Sequence, residues 1–159
     1  MSDTSRAGEK APDDASAQGF SEQERGAMRA RAAELRAEAR GGRGGRKAAA
    51  DEAAVLSTIA EMASPDRELA ERVHAVVTAA APELAPKLWY GQPAYARAGK
   101  VVCFFRSGQK DKERYSSFGF GPEAHLDDDG GMWPTSYALT GLGAAGEAAI
   151  SELVRKAVA

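Results

Sequence analysis

The chain reads as a compact sheet with helices as its cover, and three observations predict it. Apolar residues recur at helical spacing from Val55 to Ala80. An unbroken apolar run, Val101–Phe105, then follows two Gly-containing turns, as a strand covered on both faces requires. Helical spacing returns at Ile150, Leu153, Val154 and Val158 and closes the chain.

Composition places the core. The hydrophobic share is 43%, but 34 of those residues are Ala. Leu, Ile, Val and Phe together number 24, and 22 of them lie at or after Val55. Residues 1–54 contribute only Phe20 and Leu35, too little apolar surface to offset the entropy of ordering the chain. Met1–Gly19 is polar and aperiodic and is expected to be a disordered tail (residues 1–19).

Residues 20–40 form the first expected helix. Ser21 and Glu24 have capping-box spacing, and a thin stripe of Met28, Ala32, Leu35 and Ala39 follows. Such a helix either lies against the domain or waits for a protein partner. Residues 41–50 are expected to be a flexible linker. Its Arg40-Gly-Gly-Arg-Gly-Gly-Arg46 run has the backbone and guanidinium groups of a minimal RNA-binding RGG segment. Glu34, Glu38, Asp51 and Glu52 leave it little net positive potential, so a solvated linker is the expectation.

Residues 51–159 form the expected folded domain. Val55, Ile59 and Met62 mark a short helix. Ser64 is expected to cap the next helix, with Pro65 at its first position and Asp66 and Glu68 at the positive end of its dipole. Leu69, Val73, Val76, Val77 and Ala80 mark its buried face. Pro82 starts a short turn, and Leu84 and Leu88 lead into Trp89. Gly91 and Pro93 bracket a tight turn, Ala94–Arg97 is a strand, and Ala98-Gly99 turns the chain into Lys100–Arg106. Arg114–Phe120 alternates as a third strand, with Ser116, Phe118 and Phe120 on one side. Met132–Leu139 is the fourth, with Pro134 at an edge or bulge.

Pro86-Lys-Leu-Trp-Tyr-Gly-Gln-Pro-Ala-Tyr95, followed by Gly99-Lys-Val-Val-Cys-Phe-Phe105, resembles the YdhG-like domain family, whose members share a Trp/Lys-Tyr-Gly-x-Pro-Ala-Tyr/Phe element ahead of a hairpin. The resemblance continues through Phe118-Gly119-Phe120 and runs from about residue 52 to the C-terminus. The helix from Ser21 is similar to the N-terminal extension of one branch of that family. The resemblance implies an α+β fold: an antiparallel sheet of about four to five strands covered by helices, with an N-terminal helical extension. It also implies an iron-chaperone role as an alternative, because some members are so called by analogy with frataxin.

Two candidate sites follow. Trp89, Tyr90 and Tyr95, with Pro93, Phe118 and Trp133, offer flat apolar faces with polar tips suited to a small-ligand groove; the alternative is that they close one end of the core. Glu123, His125, Asp127 and Asp129 supply oxygens and a nitrogen for a hard cation such as iron. Against a metal, the spacing is not that of a Ca²⁺ loop, and consecutive Asp residues in a Gly-rich turn are ordinary solvated loop chemistry. His74 lacks a second ligand at helical spacing and is expected to be structural. Cys103, mid-strand among Val and Phe, is expected to be inert.

No nucleophile–base arrangement, phosphate-cradling loop or metalloprotease helix motif occurs, so a non-catalytic protein is expected. A net charge of −2 and a pI near 5.8 do not advertise nucleic acid. No apolar run approaches the roughly 18 residues of a membrane span, and Met1–Gln18 lacks a signal-peptide core, so a cytoplasmic protein is expected. The functional expectation is a small-ligand-binding domain; the alternatives are an iron chaperone and a protein-interaction module working through residues 21–40.

Overall fold

The computed structural model describes residues 19–40 and 45–159, the side chains of 38–40 excepted. The expected tail, apart from its last residue, and the Gly/Arg segment at 41–44 lie outside them. The described residues form an α+β fold of four helices and one antiparallel five-stranded sheet. In chain order these are α1 (Glu22–Arg40), α2 (Gly45–Glu61), α3 (Asp66–Ala80), β1 (Ala85–Trp89), β2 (Gln92–Arg97), β3 (Lys100–Arg106), β4 (Ser116–Phe120), β5 (Ser136–Leu139) and α4 (Ala144–Val158). The strands pair in sequence order, so every connection joins neighbours and β3 lies at the centre.

Residues opposed across antiparallel strands point to the same face. Tyr95 opposes Cys103, Cys103 opposes Phe120, and Phe105 opposes Phe118. These five fill the inner face and meet Val55 and Ile59 of α2, Leu69, Val73 and Val77 of α3, and Ile150 and Val154 of α4 in one core. On the outer face, among the described residues, α1 meets β1. The apolar cover of this face is local, and that is where the cleft described below forms.

The turns follow from backbone chemistry. Ala98 and Gly99 both have positive φ, 52° and 79°, as a two-residue type I′ hairpin demands. Tyr90 (53°) and Gly91 (76°) repeat the arrangement between β1 and β2. Ser21 caps α1 as its spacing predicts: the Glu24 N–H donates to Ser21 Oγ at 3.1 Å.

Several boundaries differ from expectation. Residues 45–50, expected in the linker, are the first turns of α2. Three consecutive Ala and a Lys47–Asp51 ion pair at 3.3 Å extend that helix before its first buried residue, Val55. Ser64 does not cap α3. Pro65 occupies the cap position, and the Ser64 hydroxyl instead donates to Glu68 Oε1 at 2.6 Å. Ala85–Trp89, expected as a turn and approach, is the first strand. Pro86 is tolerated there because β1 is an edge. The last strand begins at Ser136 rather than Met132, whose side chain is 85% exposed, and β4 begins at Ser116 rather than Arg114.

Candidate ligand cleft

Strand alternation decides which hairpin side chains escape the core. Trp89 opposes Gln92, Ala94 opposes Phe104, and Phe104 opposes Gly119, which puts Trp89, Gln92, Ala94 and Phe104 on the outer face. The rings of Trp89 and Phe104 pack with centroids 5.3 Å apart, and Tyr90 meets Trp89 edge-on at 5.0 Å. Gly119 makes room for this pair, since a Cβ there would fall 2.5 Å from Phe104 Cζ. Ala94 is sealed from solvent, whereas Trp89 and Phe104 stay half-buried.

Helix α1 roofs this aromatic floor. The backbone N–H groups of Tyr90 and Gly91 donate to the Glu34 carboxylate at 3.1 and 2.8 Å. Arg31 lies 3.4 Å from Glu34, with its guanidinium 5.7 Å above the Tyr90 ring. Ala30 approaches so closely that a Cβ on Gly91 would sit 3.2 Å from its own. The helix thus docks through small and polar residues. Its expected apolar stripe faces away, with Met28 42% and Leu35 49% exposed.

The wall opposite α1 is the loop after β3, and a buried carboxylate fixes it. Asp66, expected to act on its helix dipole, instead reaches across to accept from Ser107 Oγ and from the Gln109 N–H at 3.0 Å. Gly108 N–H donates to Ser116 Oγ at 3.0 Å, and Ser107 N–H to Gln92 Oε1 at 3.4 Å. So anchored, the loop presents Lys110, Asp111 and Glu113. Arg106 binds both carboxylates, through Nε to Asp111 and through Nη2 to Glu113 at 2.9 Å. The bond to Asp111, ahead of the Coulombic attraction of the two carboxylates, raises the Arg106 pKa further.

Floor, roof and wall enclose a cavity of about 390 Å³. That volume falls in the range of small-molecule sites, roughly 300–1,000 Å³. Ser21 at the cap of α1 and Glu24 and Ala27 within it line the cavity from above, Trp89, Tyr90 and Phe104 from below, and Arg106 and Lys110 from the side. It offers flat apolar surface with polar groups at the rim.

The expected groove residues divide. Trp89 and Tyr90 line this cleft. Pro93, Tyr95 and Phe118 do not: all three are fully buried. Tyr95 points to the inner face, where its hydroxyl meets His74 Nδ1 at 2.9 Å and burial raises its pKa. Trp133 lines a separate cavity of about 370 Å³ with Phe120 and Leu126. Phe104, Arg106 and Lys110 were not singled out by sequence. Phe104 belonged to a run that looked like core throughout, and Lys110 to a loop with no pattern.

The residues expected to hold a cation, Glu123, His125, Asp127 and Asp129, are not brought together as one set. Among the described residues no three His, Cys, Asp or Glu side chains converge as a metal site. Glu123 pairs with Lys100 at 3.7 Å, and His125 Nδ1 lies 3.2 Å from the Ala159 carbonyl oxygen. Asp128 Oδ2 accepts from Gly130 N–H at 3.1 Å, a turn contact. His74 is half-buried, and burial lowers its pKa. Cys103 is buried, with its thiol pushed up to about 12.

No helix among the described residues is long and apolar enough to cross a membrane. Compared with known proteins, the chain matches no family model, no curated protein and no solved structure.

Proposed function

We propose that the protein is a non-catalytic binding domain that takes a small ligand in the cleft between α1 and the outer sheet face. One observation carries this reading: the Trp89–Phe104 pair is left half-open beneath a helix that touches the sheet through Glu34 and Arg31 and does not fill the space beside them. Ring stacking and burial of the ligand's apolar face would supply the affinity, and the rim would supply orientation. The test is a screen of small aromatic compounds by NMR, read at the indole N–H signals of the two tryptophans. Binding should move Trp89 and leave Trp133 in place. A screen in which nothing moves Trp89 removes the reading.

The outward stripe on α1 favours a second reading, a protein contact through residues 21–40. Sedimentation of the wild type should then show concentration-dependent self-association that Met28→Glu/Leu35→Glu abolishes. A monomer at every concentration rules out contact between copies.

A further inference from the structure

Resting on the cleft as a ligand site, we infer that its ligand is a flat aromatic compound carrying an anionic group, with Lys110 as the counter-ion. The ring's place is set by Trp89 and Phe104, 5.3 Å apart on the floor. The charge preference comes from how the rim groups are paired. Arg106 engages both Asp111 and Glu113, so each carboxylate has a hydrogen-bonding partner other than Lys110, although the single guanidinium charge offsets only one of the two. Lys110 lies beside them in sequence, yet no carboxylate among the described residues lies within ion-pair distance of its Nζ. Among the described residues its ammonium donates only to the Gly91 carbonyl oxygen, at 3.3 Å.

Lys110 also stands where two spaces meet. It lines the aromatic cleft and a neighbouring cavity of about 350 Å³ beside Met62 and Gln109, and Gln92 is the other side chain common to both. An anionic substituent on a ring held over Trp89 therefore meets Lys110, the rim cation that has no carboxylate partner among the described residues. Glu24, on the exposed first turn of α1, is the opposing charge, and a cationic ligand would seek it instead.

A naphthoate, its neutral amide and the naphthylmethylammonium ion of the same ring separate these cases in NMR titrations of the full chain. The naphthoate should bind about fivefold more tightly than the amide, the worth of one partly exposed ion pair. Lys110→Met should erase that difference and Lys110→Arg should keep it; the side chain is exposed, so neither change threatens the fold. Equal binding of naphthoate and amide, or tighter binding of the ammonium ion, overturns the charge assignment while shifts at Trp89 preserve the cleft. If none of the three moves the Trp89 indole, the cleft reading falls and the ligand class with it.

Discussion

Replacing Glu34 should release α1 while leaving the domain beneath it folded. The Glu34 carboxylate accepts from two backbone donors, Tyr90 N–H at 3.1 Å and Gly91 N–H at 2.8 Å, with its side chain only 11% exposed. A hydrogen bond to a charged group contributes about 1.5–3 kcal/mol when the partner would otherwise be stranded. Here the turn is at the surface, and water can reach the freed N–H groups, so about 1–3 kcal/mol for the two together is the sounder figure. Glu34→Gln keeps one acceptor oxygen but turns an amide NH₂ toward a donor; Glu34→Ala removes both bonds. An undocked α1 has little to hold it, because most of a helix's stability in a protein comes from tertiary packing rather than from its own propensity. Hydrogen exchange across Glu22–Arg40 and at Tyr90 and Gly91 should therefore quicken roughly five- to hundredfold, with the amides of β3 unchanged. Unaltered exchange in α1 would refute the argument that this carboxylate holds the helix. Unfolding of the whole domain would refute it differently, by making α1 part of the core.

Other consequences concern the core and its chemistry. Phe105→Ala should cost about 3–5 kcal/mol in denaturant unfolding, and Phe104→Ala about half as much, because only Phe105 is sealed from solvent; equal costs would mean the outer face is as closed as the inner. Asp66→Ala should destabilise by about 1–3 kcal/mol and loosen residues 107–113, since Ser107 and Gln109 lose a buried acceptor. Burial depresses the His74 pKa, so the unfolded chain binds the proton more tightly. Stability from this group is present above about pH 6.5 and is lost as pH falls through the lower folded value; His74→Gln should flatten that part of the pH profile. Cys103 should react with a thiol reagent only on unfolding, its thiol being both enclosed and pushed up to about 12.

The sheet was legible where strands are central and turns are marked by glycine. Val101–Phe105 announced β3, and Ala98-Gly99 announced the hairpin because positive φ has few tolerant residues. β1 was hidden because Ala85 and Pro86 are poor strand formers, and Leu84 and Leu88 mimic helical spacing; only its edge position makes it workable. The first turns of α2 bury nothing, so no periodicity marked them. Aromatic density pointed to Trp89 and Tyr90 but did not separate them from Tyr95. That distinction depends on register, which places Tyr95 opposite Cys103 and Trp89 opposite Gln92, on contrary faces. The roof was illegible for another reason: α1 docks with Ala27, Ala30, Arg31 and Glu34, whereas its apolar residues suggested the reverse orientation. Lys110 acquires meaning only once Arg106 is seen to occupy its neighbouring carboxylates.

Intermolecular NOEs from bound naphthoate would locate an occupant directly. The arrangement described here requires cross-peaks from its ring protons to the Trp89 indole and the Phe104 ring, joined by methyl contacts from Ala27. Cross-peaks to Trp133 and Leu126 instead would move the site to the far cavity and contradict the outer-face cleft.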